Sequence, residues 1–410
     1  MIQASAPSGP LLGYRVLELC STIAGPVCTR LMADFGAEVI KVEPLEGDSV
    51  RQLGYHVNNV SLYAASILRN KKAVSIDLKT QRGVELVLSL AEQCDIVVEN
   101  FRPGTIERLG LGYEVLSRAN PGLVLVRISG YGQSGPYREK AGYGAICEAT
   151  AGVRHMTGDP DRPPARVGLA STDYQTAVFA AYGAVLALLE RHKTGKGQVV
   201  DAALYEASFS MMESIVPAYD KLKVVPGRTG SRLQSTAPNN LYIAQDDTYV
   251  LISANNDKVF RRLCQAMQMP HLIDDPRFAT VKARAENIDA IDEVVGAWVV
   301  QHGSRDVQTF LDNLGVPVSL VYTIADIYQD PHYRERDMLV TIGHPQLEHI
   351  TLTGVTPKLS DTPGAIHHAG PALGQDTEAV LSTMLGIDAE ELVQLEKDGV
   401  IGIRRVKERH

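Results

Sequence analysis

The first 130 residues alternate short apolar runs with amphipathic stretches, and this alternation constrains the fold more than any other feature. "RVLEL" at 15–19, "EVIKVE" at 38–43, "AVSIDL" at 73–78, "DIVVEN" at 95–100 and "LVLVRIS" at 123–129 have the length and β-branched content of strands. Between them, "VCTRLMADFG" carries Pro26 in its first turn and Gly36 at its end, "TQRGVELVLSLAEQC" is helical, and another helix is expected over about 104–118. Strands that are apolar throughout need cover on both faces, and a strand–helix–strand rhythm builds a parallel sheet flanked by helices. The expected fold class is α/β, with a large Rossmann-like, doubly wound parallel-sheet domain.

Near Thr194 the rhythm changes. A basic turn, "HKTGKGQ", and one more helix lead into "VVPGRTGSRLQSTAPNN" at 224–240, a Gly-, Pro- and Arg-rich stretch that reads as a linker. "LYIAQDDTYVLISA" then reads as a hairpin turning at Asp246-Asp247, followed by helices near 257–268 and 284–302 and a strand at 316–323. The expected organisation is the N-terminal part of a large α/β domain over 1–200, a linker over 201–224, a smaller α+β domain over 225–325, and a linker with a return to the large domain over 326–410.

Charge and cysteine usage narrow the class of partner. The chain of 410 residues has a formal net charge of −8, which argues against nucleic acid or an anionic membrane surface, since both attract a clustered basic face. Five scattered cysteines without a CxxC pair favour reduced thiols. "MIQASAPSGP" reads as a loose arm and not a signal peptide, so the expected location is cytoplasmic. The longest apolar run, Thr176 to Leu189, falls short of the ~18 residues of a membrane span and is expected to be a buried helix.

Open parallel sheets bind ligands beyond the carboxyl ends of their strands, here "LCSTIAGP", "VEPLEGDSVR", "ENFRPGTIERLG" and "SGYGQSGPYREK". "STIAGP" offers one glycine where a dinucleotide fingerprint has three, and GxxxxGK[ST], HExxH and GxSxG do not occur, so no metal site is expected. A carboxylate then becomes a candidate nucleophile. In "GLASTDYQTAVF" at 168–179, Thr172 and Gln175 fit a capping box, which frees Asp173 from capping and sets it at the first helical position. The helix dipole there favours the ionised form by ~0.3–1 kcal/mol. Such a carboxylate either decorates a positive helix end or is held as a nucleophile, and local sequence leaves both readings open.

Six blocks in order carry a resemblance: "LCSTIAGPVCTRLMADFGAEVIKVEPLEGDSVR", "RNKKAVSIDLKTQRG", "VVENFRPGTIERLGLGYEVL", "SGYGQSGPYREKAGY", "STDYQTAVFAAYGAVLALLERHKTGKGQVVD" and "DPHYRERDML". Together they resemble the class III coenzyme A transferases (CaiB/BaiF family) over about residues 11–400. The resemblance implies an enzyme with Asp173 as nucleophile, an acyl-CoA thioester as substrate and no permanently bound cofactor. CoA would pass to a free carboxylic acid through an aspartyl anhydride and an aspartyl-CoA thioester. An interlocked homodimer is implied as well. By the same resemblance Asn100 and Phe101, with Arg108 in the following helix, form a nucleotide-contacting motif, while Lys79 and Lys140 stand where basic residues meet the CoA phosphates. An acidic chain must supply such cations locally.

The chain departs from the family pattern in places. Next to Tyr143 the family usually carries a carboxylate, but here Gly144 follows, and Glu148 either substitutes or is a buried helix residue. The oxalate-handling branch has Gln at the position of Ile23 and a glycine run over the site. This chain has Ile23 and no such run, and its texture is closer to the dicarboxylate-handling, succinate–hydroxymethylglutarate CoA-transferase-like members. The basic residues of "GRTGSRLQ" fit either a distal-carboxylate site or a plain linker. Two rivals stand beside this reading. A 2-methylacyl-CoA racemase pairs the aspartate with a His, where this chain has Tyr143, a poor base near neutral pH with a reference pKa of ~10. A non-catalytic CoA-binding protein is the other.

Overall fold

The computed structural model describes residues 9–233 and 235–404, so most of the expected N-terminal arm lies outside the described residues. Contacts divide the chain into two units. The first runs to Val153, resumes over Val167–Pro217 and continues from His332, and the second takes Arg154–Arg166 and Ala218–Pro331.

In the first unit one sheet holds β1 (Arg15–Leu19), β2 (Glu38–Glu43), β3 (Lys71–Ile76), β4 (Ile96–Glu99), β5 (Val124–Ser129), β6 (Val199–Ala203) and β7 (Ile401–Gly402). Their spatial order is β7-β3-β2-β1-β4-β5-β6. Every neighbouring pair is parallel except β7 against β3. The chain winds outward from β1 through β2 to β3, then returns to lay β4 on the other side of β1. That reversal opens a crevice beyond the carboxyl ends of β1 and β4. The doubly wound sheet expected from the strand rhythm is present.

Alternate side chains of the sheet enter two apolar layers. Val16, Val39, Val98 and Val126 face one, and Leu17, Ile40, Val97 and Leu125 the other. Four helices matter for the site: α1 (Ala24–Asp34), α2 (Gly144–Thr150), α3 (Ser171–Thr194) and α4 (Leu204–Phe209). Helix α3 joins the first layer through Ala177, Ala180, Ala184 and Ala187, a helical stripe of small residues that lets backbones approach closely. Its other side corrects the expectation of a buried helix, because Val178, Tyr182 and Leu189 are 55, 60 and 55% exposed. No helix among the described residues is long and apolar enough to cross a membrane.

Other differences have local causes. The strand expected at 73–78 begins at Lys71 and ends at Ile76, with Lys71 buried and paired with Glu18. Strand β6 was not expected. The helix expected over 104–118 is two helices, Thr105–Arg108 and Tyr113–Ala119, separated at Gly110, whose φ of +76° ends the first. In the second unit the expected hairpin pairs Asn239–Ile243 with Tyr249–Ser253, turning through Asp247 at φ +58°. The helix expected over 284–302 starts earlier and breaks at Asn287 into Val281–Glu286 and Ile288–Val299.

Candidate active site

The loop leaving β1 is held residue by residue from three places. Lys41 Nζ donates to the Cys20 carbonyl at 2.8 Å. Asn100 takes both sides of Ser21, accepting from its N–H at 2.9 Å and donating to its carbonyl at 2.8 Å. Asp48 Oδ1 accepts from the Thr22 N–H at 2.9 Å. Thr22 has φ +72°, a left-handed conformation that costs a β-branched residue roughly 1–3 kcal/mol, so these bonds must hold it there.

Beneath the loop lies a buried charge cluster. Glu18 stands opposite Lys41 in the register of β1 and β2, and its carboxylate meets Lys41 and Lys71 at 2.8 Å each. Lys41 also pairs with Asp48 at 2.8 Å. Burial alone would push the Glu18 carboxyl up, but the charges of Lys41 and Lys71 and their hydrogen bonds outweigh it and bring it to about 2. For Lys41, burial is overcome by Glu18, Asp48 and Glu43, and its ammonium is held above the usual lysine range. Lys71 has Glu18 as its neighbouring carboxylate, and burial prevails there, lowering it.

The loop leaving β4 is fixed by Glu99, which accepts from the Phe101 N–H at 2.7 Å and from Arg127 Nε at 2.8 Å. Burial pushes the Glu99 carboxyl up to about 7 against the pull of Arg127 and the Phe101 N–H. The third wall is the segment after β5. A Cβ placed on Gly130 would lie 2.9 Å from the Gly142 Cα, so the two ends of this segment meet backbone to backbone. Lys140 Nζ lies 3.4 Å from the centre of the Tyr137 ring, a cation–π contact near its mouth.

Asp173 is the third residue of α3, in its first turn. The expected capping box does not form, because Ser171 already belongs to the helix and Ala170 is the N-cap, without a side-chain bond. Thr172 is buried, its hydroxyl 3.0 Å from Ser208 Oγ, and Ser208 donates to Gln175 Oε1 at 3.4 Å. Both polar side chains thus tie α3 to α4. Asp173 keeps its place at the positive end of α3. Burial first, and then the charge of Asp173, push the neighbouring Cys147 thiol up to about 11, leaving it protonated and unreactive.

These walls enclose a cavity of about 210 Å³ at the topological switch point. Asp173, Ile23, Asn100, Phe101, Lys140 and Tyr143 all line it. Arg108 and Lys79 do not. Arg108 is exposed in the short helix after the Phe101 loop, donating to Thr105 Oγ1 at 2.9 Å, and Lys79 is exposed beyond β3. Glu148 is buried one turn after Gly144 on α2. Sequence reasoning missed Thr22, Arg102 and Arg138, which also line the cavity. All three stand in strand-end segments of the kind that carry ligand contacts, and that position was the available signal. The cavity is smaller than the roughly 300–1,000 Å³ of sites that enclose a whole ligand, so it suits the reacting end of a longer molecule.

The family model for "CoA-transferase family III" matches residues 11–377. Over 402 residues, 98% of this chain and 100% of the relative, the chain is 44% identical to a succinyl-CoA–D-citramalate CoA-transferase of Chloroflexus aurantiacus. It is 34% identical to the succinyl-CoA:glutarate CoA-transferase of Mus musculus, covering 96% of this chain and 90% of that one. The crystal structure of a CAIB/BAIF family protein from Brucella suis superposes with a TM-score of 0.81 at 32% identity, covering 92% of this chain and 100% of that one. Agreement of this extent, in sequence over nearly the whole chain and in the winding of the sheet, makes the chain a member of CoA-transferase family III.

Proposed function

We propose that the chain transfers CoA from succinyl-CoA to a small dicarboxylic acid, with Asp173 as the covalent nucleophile. The observation that carries this reading is the convergence of Asp173 with Asn100, Phe101 and Lys140 on one cavity at the switch point. The similarity to enzymes named for succinyl-CoA with D-citramalate or glutarate supports both the donor and the class of acceptor.

A carboxylate oxygen of Asp173 attacks the thioester carbonyl carbon, the C–S bond breaks, and CoA leaves as its thiolate. The product is a mixed anhydride. The thiolate then attacks the aspartyl carbonyl carbon, the C–O bond breaks, and succinate departs, leaving aspartyl-CoA thioester. An acceptor carboxylate repeats the two steps in reverse, so atoms and charge balance without a net proton. The net reaction exchanges one thioester for another and needs no outside energy, while the anhydrides are short-lived, higher-energy intermediates, so the protein's task is to hold CoA in place and exclude water. Lys140 and Arg138 at the cavity, with Arg108 nearby, are the cations for the CoA phosphates, and the clamped Ser21–Ile23 loop keeps a fixed wall against the thioester. The exposed apolar face of α3 supports assembly as a homodimer, which size-exclusion chromatography with light scattering tests.

Incubation with succinyl-CoA and hydroxylamine should give a hydroxamate on Asp173, read by peptide mass. Asp173→Asn should abolish transfer while CoA affinity stays within about threefold. A variant that still transfers, or no adduct with any of succinyl-, glutaryl- or acetyl-CoA, refutes the nucleophile assignment. Donors assayed against D-citramalate, L-malate and glutarate identify the acids.

A further inference from the structure

Gly144 has no conformational need to be glycine. It opens helix α2 at a φ outside the left-handed region, and glycine is a poorer helix former than alanine. The reason for it lies across the site. A Cβ built on Gly144 would stand 2.1 Å from Asp173 Oδ2 and 2.9 Å from its Cγ, inside the distance any real contact permits. The carboxylate of Asp173 occupies the volume where a side chain at 144 would be.

One of the two must move if residue 144 acquires a side chain, and the surroundings decide which. The backbone around Gly144 is held. Cys147 N–H donates to the Tyr143 carbonyl at 3.0 Å, Cys147 Sγ reaches the Gly130 carbonyl at 3.3 Å, and Gly142 packs directly on Gly130. Asp173 is the far end of a side chain with two rotatable bonds. The carboxylate therefore yields, and moving Oδ2 from 2.1 Å to an ordinary contact of 3.4 Å takes a shift of at least 1.3 Å. A misplacement of that size costs a reaction on the order of 100-fold.

We infer that Gly144 is a positioning residue: the missing side chain is the seat of the Asp173 carboxylate and sets the rotamer from which it attacks. This rests on the covalent role proposed for Asp173, and it makes the glycine beside Tyr143 a requirement of this chain's chemistry and not a lost carboxylate.

The test is the set Gly144→Ala, Asp173→Ala and the double variant, with Asp173→Asn as control, all in the full chain. Gly144→Ala is expected to lower kcat on the order of 100-fold and slow hydroxamate formation at Asp173 in parallel. Its CoA dissociation constant should stay within threefold. In the melting temperatures, Gly144→Ala should be more favourable in the Asp173→Ala background than in the parent, because the carboxylate no longer competes for the space. Equal Tm changes in both backgrounds, or misfolding in both, overturns the inference, as does a Gly144→Ala enzyme within threefold of the parent in kcat. A parent-like Asp173→Asn overturns the function instead. An inactive Asp173→Asn beside a parent-like Gly144→Ala removes this inference alone.

Discussion

Glu18→Gln tests the charge cluster beneath the β1 loop. Glu18 is fully buried, and its carboxyl is brought from the ordinary 4.5 to about 2 by Lys41 and Lys71 against the opposing effect of burial. At ~1.4 kcal/mol per pH unit, that difference corresponds to about 3 kcal/mol of folding free energy. The sign follows from the direction: a depressed carboxyl stabilises fully above pH 4.5, and the contribution disappears as pH falls toward 2. Removing one member of a buried ion pair costs ~3–5 kcal/mol because the other charge is stranded, which agrees in scale. Here Lys71 is stranded, since Lys41 retains Asp48 at 2.8 Å. At roughly 2–4 °C per kcal/mol for domains of a few hundred residues, Tm at pH 7 should fall by roughly 5–15 °C. Circular dichroism melts across pH 2–10 should show two further signatures. The acid limb between pH 4.5 and 2 flattens in the variant. Its Tm also climbs with rising pH, because a stranded lysine binds fewer protons folded than unfolded. Adding Lys71→Met to Glu18→Gln should recover part of the loss by removing that charge. A Tm within 2 °C of the parent at pH 7, or an unchanged acid limb, refutes the reasoning.

Two further expectations concern the loops. Asn100→Ala removes both side-chain bonds to Ser21, ~1–3 kcal/mol for a pair of this kind, so kcat should drop about 10-fold or more with a Tm loss of a few degrees. Steady-state kinetics beside a melt decides it, and a change in neither measure refutes the clamp. On the proposed role of Arg108 at the CoA phosphates, Arg108→Ala removes a charge-assisted bond of ~1.5–3 kcal/mol and should raise the KM for succinyl-CoA about 10- to 100-fold at little cost in kcat. Lys79→Ala, exposed and away from the cavity, should change KM less than threefold. The opposite order of the two would reverse their assignments.

The sheet was legible because parallel strands buried on both faces are apolar without interruption, as in "DIVVEN" and "LVLVRIS". Where the pattern failed, a tertiary partner had overridden a local preference. The strand runs back to Lys71 because Glu18, from a neighbouring part of the sheet, neutralises that lysine inside it. Helix α3 looks fully buried by composition, yet only one side of it, the alanine stripe with Leu188, enters the core. Gly110 and Asn287 each end a helix that periodicity alone continued.

The site was legible by a different route. Asp173 stood out only through the blocks around it, and the cap that seemed to explain its neighbours does not exist: Thr172 and Gln175 turn to Ser208. The segments that carry Asn100, Phe101 and Lys140 could be read from strand-end position, because a parallel sheet delivers them to one edge, while the residues themselves were singled out by the family resemblance. Geometry at finer scale had no such carrier. Nothing in "LCSTIAGP" announces that Thr22 is left-handed, since the cause is a carboxylate of Asp48 that folds over from β2. Nothing in "GYGAICEA" tells a glycine needed for its backbone from one needed for its emptiness. That distinction appears only when Asp173, 29 positions on, is found in the space the side chain would take. A departure from a family pattern therefore has two physical meanings, a group lost or a space made, and here the contact distance selects the second.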